Sequence, residues 1–298
     1  MKSRYAPDRG LSVRMGATMF LLGLLYVVVV VLLVAIGLGW FFAMLIAVGG
    51  LFAQWYFSDS MALYGMKARL VTPEQAPQLH GIVDRLCVMA DMPKPRVAIS
   101  DVHLPNAFAT GRSPKRSVVC VTTGLLQQLD PDEVEAVLSH ELSHVAHRDV
   151  LVMTIASVAG VMAGFLTRMV LWGGLGRSRD RDSNGAVMVV VVLLVSVLVY
   201  CVSFVLTRML SRYRELAADR AGALLTGQPA VLASALTKVS GTIAQIPSKD
   251  LRAAENFNAF FFAPALAPGQ SLAALFATHP PLDKRLENLA KVAAQLGQ

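Results

Sequence analysis

The chain has 298 residues, of which 55% are hydrophobic and 16% are charged. A soluble globular domain carries about a quarter charged residues, so the composition excludes an ordinary soluble protein. The apolar residues are concentrated in blocks, which is typical of a membrane protein. The net charge is +7, and basic residues flank the apolar blocks, which favours an anionic membrane surface over nucleic acid as the partner. Three scattered cysteines predict no disulfide framework.

Residues 1–57 predict a basic cytoplasmic arm followed by a transmembrane hairpin. Apolar runs extend over about 16–36 and 40–57, each close to the roughly 20 residues that span a bilayer. The break between them, at Gly37-Leu38-Gly39, is short enough to predict a tight turn. Basic residues before the first run place the N-terminus in the cytoplasm, and the hairpin returns the chain to the cytoplasm.

Residues 58–150 are polar enough to be soluble, and they predict a helix beginning at Thr72 and a small β-sheet. His80 and His103 have no partner at ligand spacing, so we expect both to be surface or structural residues. A sheet of this kind could hold an extended peptide on its edge by strand addition. Glycine and proline punctuate three extended runs that predict the strands: 96–99, 107–111 and 117–122.

The same segment ends in a helix that carries the candidate chemistry. Asp130 and Pro131 suit the N-cap and the first position of this helix. His140 and His144 are four residues apart, so both imidazoles lie on one face, where they can bind a single zinc ion. Glu141 follows the first histidine and can reach a water molecule bound to that metal, where it would act as general base.

Residues 151–207 predict a second transmembrane hairpin, with apolar runs over about 150–172 and 186–206. Together with the N-terminal hairpin, this gives four predicted transmembrane helices. Parity places the connecting loop outside, although its arginines conflict with the positive-inside rule. The alternative is a re-entrant hairpin that does not fully cross the membrane. Both versions return the chain to the side of the two histidines.

Residues 208–298 predict the second half of the site. A catalytic zinc bound by two histidines needs a third protein ligand and an open position for water. Glu215 can supply that ligand, and Asp219, one turn further on, can accept the free ring N–H of a zinc histidine. Further along, the run 256–262 is unusually aromatic, and it could line a substrate cleft, lie in the membrane interface or pack in the core.

Helix geometry supports the choice of the third ligand. His144 and Glu215 both lie about 10 Å of helix rise from an apolar run, so two adjacent spans would bring them to a similar height. His147 is the competing ligand, but it lies about 10.5 Å from His140 along the helix axis. Zinc–nitrogen bonds are about 2.1 Å long, so one straight helix can hardly deliver His147 to the same ion.

These features together resemble the HtpX family of membrane-bound zinc endopeptidases, relatives of the CAAX prenyl proteases. The resemblance implies a mainly α integral membrane protein with a zincin-type (gluzincin) catalytic domain and a small β-sheet. Four predicted transmembrane helices belong to this architecture. Besides the paired apolar runs, the resemblance rests on four motifs: Asn106–Gly111, His140–His144, Arg214–Asp219 and His279–Leu282.

The resemblance also implies roles for individual residues. One Zn²⁺ per chain would be bound by His140, His144 and Glu215, with Glu141 as the catalytic glutamate. An asparagine like Asn106 and a histidine like His279 face the reacting carbonyl in this family and its relatives. The implied location is the bacterial inner membrane, multi-pass, with the active site facing the cytoplasm.

The predicted function is therefore cleavage of cytoplasmic segments of misfolded or damaged membrane proteins, as part of quality control after heat or envelope stress. The expected partners are polypeptide substrates and the lipid bilayer, with no nucleic acid. One alternative is a catalytically silent membrane scaffold with a structural zinc, although a structural site has no use for Glu141. Another is a transporter, which would need ionisable residues within the spans, where only Arg168 comes close.

Overall fold

The computed structural model describes residues 9–35, 55–174, 183–245 and 279–298, together with isolated positions between 45 and 53. The predicted break at 37–39, most of the loop between the third and fourth apolar runs, and the aromatic run 256–262 lie outside the described residues. The chain separates into two compact units. One unit contains Trp55–Leu151 and Ser211–Gln298, and the other contains Val13–Gln54 and Val152–Leu210.

The second unit is built from long apolar helices. Its described helices are α1 (Arg9–Ala35) and the greater parts of α6 (Asp149–Gly174) and α7 (Ser183–Thr226). Leu22, Ala156 and Leu210 form a buried cluster within it. By length and composition, one helical stretch in the described part of the chain, Leu193–Thr226, can cross a membrane.

The first unit contains a four-stranded sheet in the order β1-β2-β4-β3. Strand β2 pairs with β4 in parallel, whereas β1 and β3 pair antiparallel with their neighbours. The three predicted strands are present, and the sequence analysis missed β1, which has only three residues. Strand β3 is one edge of the sheet. The strand bounds are Ala68–Leu70 for β1, Arg96–Ser100 for β2, Ala107–Ser113 for β3 and Arg116–Thr122 for β4.

Side chains alternate between the two faces of this sheet along each strand, so each face presents its own set of residues. Helices pack against both faces. On one face, Phe108 and Cys120 pack against Ala62 of α2 (Ser58–Gly65) and against Met66, which caps that helix. On the other face, Val119 and its neighbours join the main core. The helices of this unit outside α6 and α7 are α2 (Ser58–Gly65), α3 (Pro77–Ala90), α4 (Thr123–Gln128), α5 (Pro131–Ala146), α8 (Pro229–Gln245) and α9 (Leu282–Leu296).

Two predicted helix ends need correction. Helix α3 begins at Pro77 rather than at Thr72, because Gln75 N–H bonds back to the Thr72 carbonyl in a separate turn and Pro77 suits the first helical turn. The sequence places His147 on the same straight helix as His140, but helix α5 ends at Ala146 with His147 as its C-cap. The predicted start of α5 is confirmed by a capping box between Asp130 and Glu133.

Helices α5 and α7 approach each other closely at Gly222. A Cβ atom at this position would lie 2.9 Å from the backbone nitrogen of His140. The hydroxyl of Ser139 donates to the Gly222 carbonyl at 3.0 Å. Glu215 lies two turns before Gly222, on the same face of α7. The missing side chain at Gly222 therefore lets α7 bring Glu215 towards the histidines of α5.

We predict that Gly222→Ala lowers the thermal unfolding midpoint and weakens metal binding, because its methyl group meets backbone atoms that cannot move independently. Overpacking of this kind typically costs about 1–3 kcal/mol. The matched control is Gly241→Ala in α8, where a Cβ meets no atom within 4 Å. That control should be neutral or stabilising. Equal midpoints for the two variants, measured in detergent, would contradict the close approach.

Candidate metal centre

Two histidines of α5 and one glutamate of α7 form a compact group. The Nε2 atoms of His140 and His144 are 3.2 Å apart. Oε2 of Glu215 lies 3.7 Å from Nε2 of His140, and Oε1 lies 3.5 Å from Nε2 of His144. Among the described residues, this is the group of three whose candidate ligand atoms lie within 4.8 Å of one another.

These distances fit a zinc ion. Two tetrahedral ligands with bonds of about 2.1 Å lie about 3.4 Å apart, close to the observed separations of 3.2 to 3.7 Å. Two imidazoles and one carboxylate form a donor set that catalytic zinc sites use. The Glu215 carboxylate is also buried, which is costly for a charged group unless a cation lies nearby.

Glu141 lies beside this group and contacts the sheet. The backbone N–H of Ala109, in edge strand β3, donates to Oε2 of Glu141 at 3.1 Å. Burial raises the pKa of the Glu141 carboxyl to about 8, and the Glu215 carboxylate acts in the same direction. A carboxyl group with such a pKa can both accept and release a proton near neutral pH.

Each histidine of the group has an aspartate at its other ring nitrogen. Oδ1 of Asp219 lies 3.0 Å from Nδ1 of His140, which is the kind of contact the sequence analysis expected of Asp219. Nδ1 of His144 donates to Oδ2 of Asp149 at 2.5 Å. Asp149 is itself buried, at the first position of the next helix.

Two buried arginines hold these aspartates, and sequence reasoning missed both roles. Arg285 in α9 donates from Nε and Nη2 to the two oxygens of Asp219, at 2.9 and 2.6 Å. Arg214 in α7 lies 2.5 Å from Oδ2 of Asp149. Neither contact has a signal in the sequence. Asp149 lies five residues after His144, which is not a helical contact spacing, and Arg285 lies 66 residues from Asp219.

His279 lies beside the group of three. Asn106 is held in position by hydrogen bonds of its main chain. Nδ1 of His279 lies 2.9 Å from Oε2 of Glu215, and the imidazole is buried. Asn106 is buried just before β3, where its N–H donates to the Thr122 hydroxyl at 2.9 Å. His147 is exposed at the C-cap of α5 and does not belong to the group of three.

The two other histidines also have defined surroundings. His80 is buried, and its Nε2 lies 3.0 Å from the Val71 carbonyl, which confirms the expected structural role. The main chain of His103 packs against Gly124, where an added Cβ would lie 2.0 Å from the His103 carbonyl oxygen. Neither histidine belongs to the metal-binding group.

Fold and site together define a metallopeptidase. The sequence profile described as "Peptidase family M48" matches residues 73–293, which is most of the chain. The chain therefore belongs to peptidase family M48.

Curated relatives match over almost their full length. "Protease HtpX homolog 1" of Streptomyces coelicolor is 55% identical over 298 residues, covering 100% of this chain and 98% of the relative. "Protease HtpX homolog" of Moorella thermoacetica is 49% identical, with 99% of each chain covered. The corresponding protein of Pyrococcus furiosus is 41% identical, with 97% and 98% covered. The resemblance to the HtpX family is thereby confirmed.

A solved structure shares the fold. The crystal structure of S. mikatae Ste24p matches with a TM-score of 0.58 at 17% identity, covering 94% of this chain. This chain spans 66% of the length of that one. At this level of identity the likeness concerns the fold alone, and it confirms a mainly helical chain with a small sheet.

We predict that Arg285→Met destabilises the protein strongly, because it leaves the buried Asp219 carboxylate without its counter-charge. Breaking a buried pair in this way typically costs about 3–5 kcal/mol. Thermal unfolding in detergent measures the change. The control is Lys284→Met, one residue earlier on α9, where the lysine forms an exposed pair with Glu287. A similar small effect in both variants would contradict the importance of the Arg285–Asp219 pair.

Proposed function

We propose that this protein is a membrane-bound zinc endopeptidase that cleaves cytoplasmic segments of misfolded or damaged membrane proteins. The observation that carries the proposal is the convergence of His140, His144 and Glu215 beside a buried Glu141 that is bonded to an edge strand. A purely structural metal site would not need that fourth side chain. The names of the curated relatives, proteases of the HtpX type, support the same activity.

The chain's own residues would divide the chemistry between them. His140, His144 and Glu215 would hold one zinc ion, which supplies a Lewis acid that activates water and polarises the peptide carbonyl. Glu141 would take a proton from the attacking water at its carboxylate and pass it to the leaving amine. Asp219 would keep the imidazole of His140 in the required orientation.

His279 and Asn106 are proposed to donate to the carbonyl oxygen as negative charge develops on it. His279 is suitably close to the site, since it is buried and its Nδ1 lies 2.9 Å from Oε2 of Glu215. Removal of one such donor often costs about 3 kcal/mol of transition-state stabilisation. Asn106 precedes β3, the strand that reaches Glu141 through Ala109.

Among the described residues, no strand pairs with the outer edge of β3, and this edge suits an extended polypeptide. The Asn106 carbonyl accepts from Thr122 N–H on β4, so alternate residues from 106 onward face β4. The main-chain groups of Ala107, Ala109 and Gly111 therefore face the open edge, where Ala109 N–H already bonds to Glu141. Strand addition depends on main-chain groups, so unfolded segments of varied sequence can bind there.

The membrane arrangement is part of the proposal. We propose four spans, at about 16–36, 40–57, 150–172 and 186–206, within segments 1–57 and 151–207. The remaining segments, 58–150 and 208–298, would form a cytoplasmic catalytic domain at the bacterial inner membrane. In support, Trp55–Leu151 and Ser211–Gln298 belong to one compact unit, which joins the two halves of the site. A role in stress-induced quality control follows from substrates of this kind.

We predict that Glu141→Gln abolishes hydrolysis of an unfolded protein while zinc remains bound, because Glu141 acts on water and is not a ligand. Metal content and digestion are measured on the same detergent-purified sample. Glu135→Gln, on the same helix and paired with Arg85 at the surface, is the matched control. Glu215→Gln removes a proposed ligand and should lose zinc, so it serves as the control for loss of metal in the same measurement. Wild-type turnover in Glu141→Gln would refute the mechanism.

Cysteine labelling tests the topology. In a Cys201→Ser background, which removes the exposed native cysteine, Lys115→Cys should react only from the cytoplasm and Ser178→Cys only from outside. Lys115 is exposed in the turn between β3 and β4. Cytoplasmic labelling at Ser178→Cys would instead support the re-entrant hairpin. External labelling at Lys115→Cys would overturn the cytoplasmic site and with it the proposed substrates.

A further inference from the structure

Asp149 connects three elements at the metal centre. It is the first residue of α6, its side chain is 8% exposed, and its Oδ2 atom meets two partners. Nδ1 of His144 lies 2.5 Å from that oxygen, and Nη2 of Arg214 also lies 2.5 Å from it. The carboxylate therefore joins the end of α5 and the beginning of α6 to α7.

The turn between α5 and α6 places this carboxylate. Arg148 has a φ of 56°, a left-handed conformation that is costly for a residue with a side chain. Its N–H donates to the Val145 carbonyl at 3.1 Å, and its carbonyl accepts from Leu151 N–H at 3.0 Å. The chain can therefore start a new helix within three residues of the end of α5, and Asp149 returns to His144.

This contact has a consequence for metal binding. A histidine that binds a metal through Nε2 carries its proton on Nδ1, and an acceptor at Nδ1 fixes both the tautomer and the ring plane. Arg214 pairs with the same oxygen of Asp149 and opposes its displacement. Arg214 directly precedes Glu215 in α7. The pair of Arg214 with Asp149 therefore fixes the position of the α7 segment that carries the third ligand.

The other histidine has a matching arrangement from different elements. Asp219 accompanies His140, and Arg285 of α9 holds Asp219. Both imidazoles of the site are thus backed by an aspartate that is itself held by a buried arginine. The two pairs differ in detail, since Arg285 contacts both oxygens of Asp219 whereas Arg214 shares one oxygen of Asp149 with His144. In both pairs the arginine holds the aspartate that contacts a proposed zinc-binding imidazole.

We propose that Asp149 and Arg214 are positioning residues that set the metal affinity of the site. Asp149 orients His144, and Arg214 acts through Asp149 while it keeps that aspartate beside the α7 segment that carries Glu215. The inference rests on the metal site of the proposed function, and it extends that site to the first residue of α6.

The test is the metal affinity of Asp149→Asn in the full-length protein in detergent. Zn²⁺ affinity is measured by competition with a chelator, and the visible spectrum of the Co²⁺-loaded protein reports the ligand geometry. We expect a 10- to 100-fold loss of Zn²⁺ affinity and shifted Co²⁺ bands. The control is Asp84→Asn, whose carboxylate forms an exposed pair with Lys94 at 2.8 Å and should change neither readout.

A merely structural role would lower the unfolding midpoint of the metal-free protein but leave the affinity and the Co²⁺ spectrum of the folded fraction unchanged. That outcome, with an affinity within twofold of wild type, would overturn the proposal. If Asp149→Asn does not fold, the Zn²⁺ affinity of Asp149→Glu is measured instead. That variant keeps the charge and displaces the carboxylate by one methylene. The same loss is expected there, and wild-type affinity would again overturn the proposal.

A double-mutant cycle tests the role of Arg214. Arg214→Gln should alter Zn²⁺ affinity less in the Asp149→Asn background than in the wild type, because Arg214 acts through Asp149. Equal effects in both backgrounds would remove Arg214 from the proposal. Failure of the proposed function is distinguishable, because the wild-type protein would then bind no Zn²⁺ at this site or would not cleave unfolded protein.

Discussion

The site depends on how charge is buried around it. The described residues place four buried carboxylates at the centre together with two buried guanidinium groups. When all six are ionised, two negative charges remain, which is the charge that one divalent cation neutralises. Burying unpaired charge is costly, so the arginines stabilise the two aspartates, and a cation beside Glu215 would stabilise the remaining carboxylates. The six residues are Glu141, Asp149, Glu215 and Asp219 with Arg214 and Arg285.

The pKa of Glu141 is raised in the same buried surroundings. Burial is the main cause, and the neighbouring Glu215 adds to it. Asp149 and Asp219 are each paired with an arginine, whereas Glu141 has a backbone N–H from Ala109. Glu141, the carboxyl that would exchange protons, is therefore held by a backbone N–H and not, as Asp149 and Asp219 are, by a buried arginine.

Close packing at Gly222 sets the relative positions of these charged residues. Because Gly222 lets α7 approach the backbone of α5 at His140, ligands from two helices converge from positions 71 or more residues apart in the sequence. Strand β3 completes the site from another direction, through the bond from Ala109 to Glu141. The proposed metal ligands, general base and substrate-binding edge are thus held by rigid elements, which suits a site that must keep its geometry during catalysis.

The sequence alone determined the parts of the site that follow from local helix geometry. His140 and His144 share a face because they are four residues apart, and the same spacing relates Glu215 to Asp219. The capping box of α5 and the three longer strands follow from equally local patterns. Only the tertiary structure decided the partners of those residues. Asp149 depends on a left-handed turn at Arg148, and Arg285 depends on the packing of α9 against a helix more than sixty residues away. Such contacts join segments whose separation in sequence carries no periodic signal, so only the folded chain brings them together.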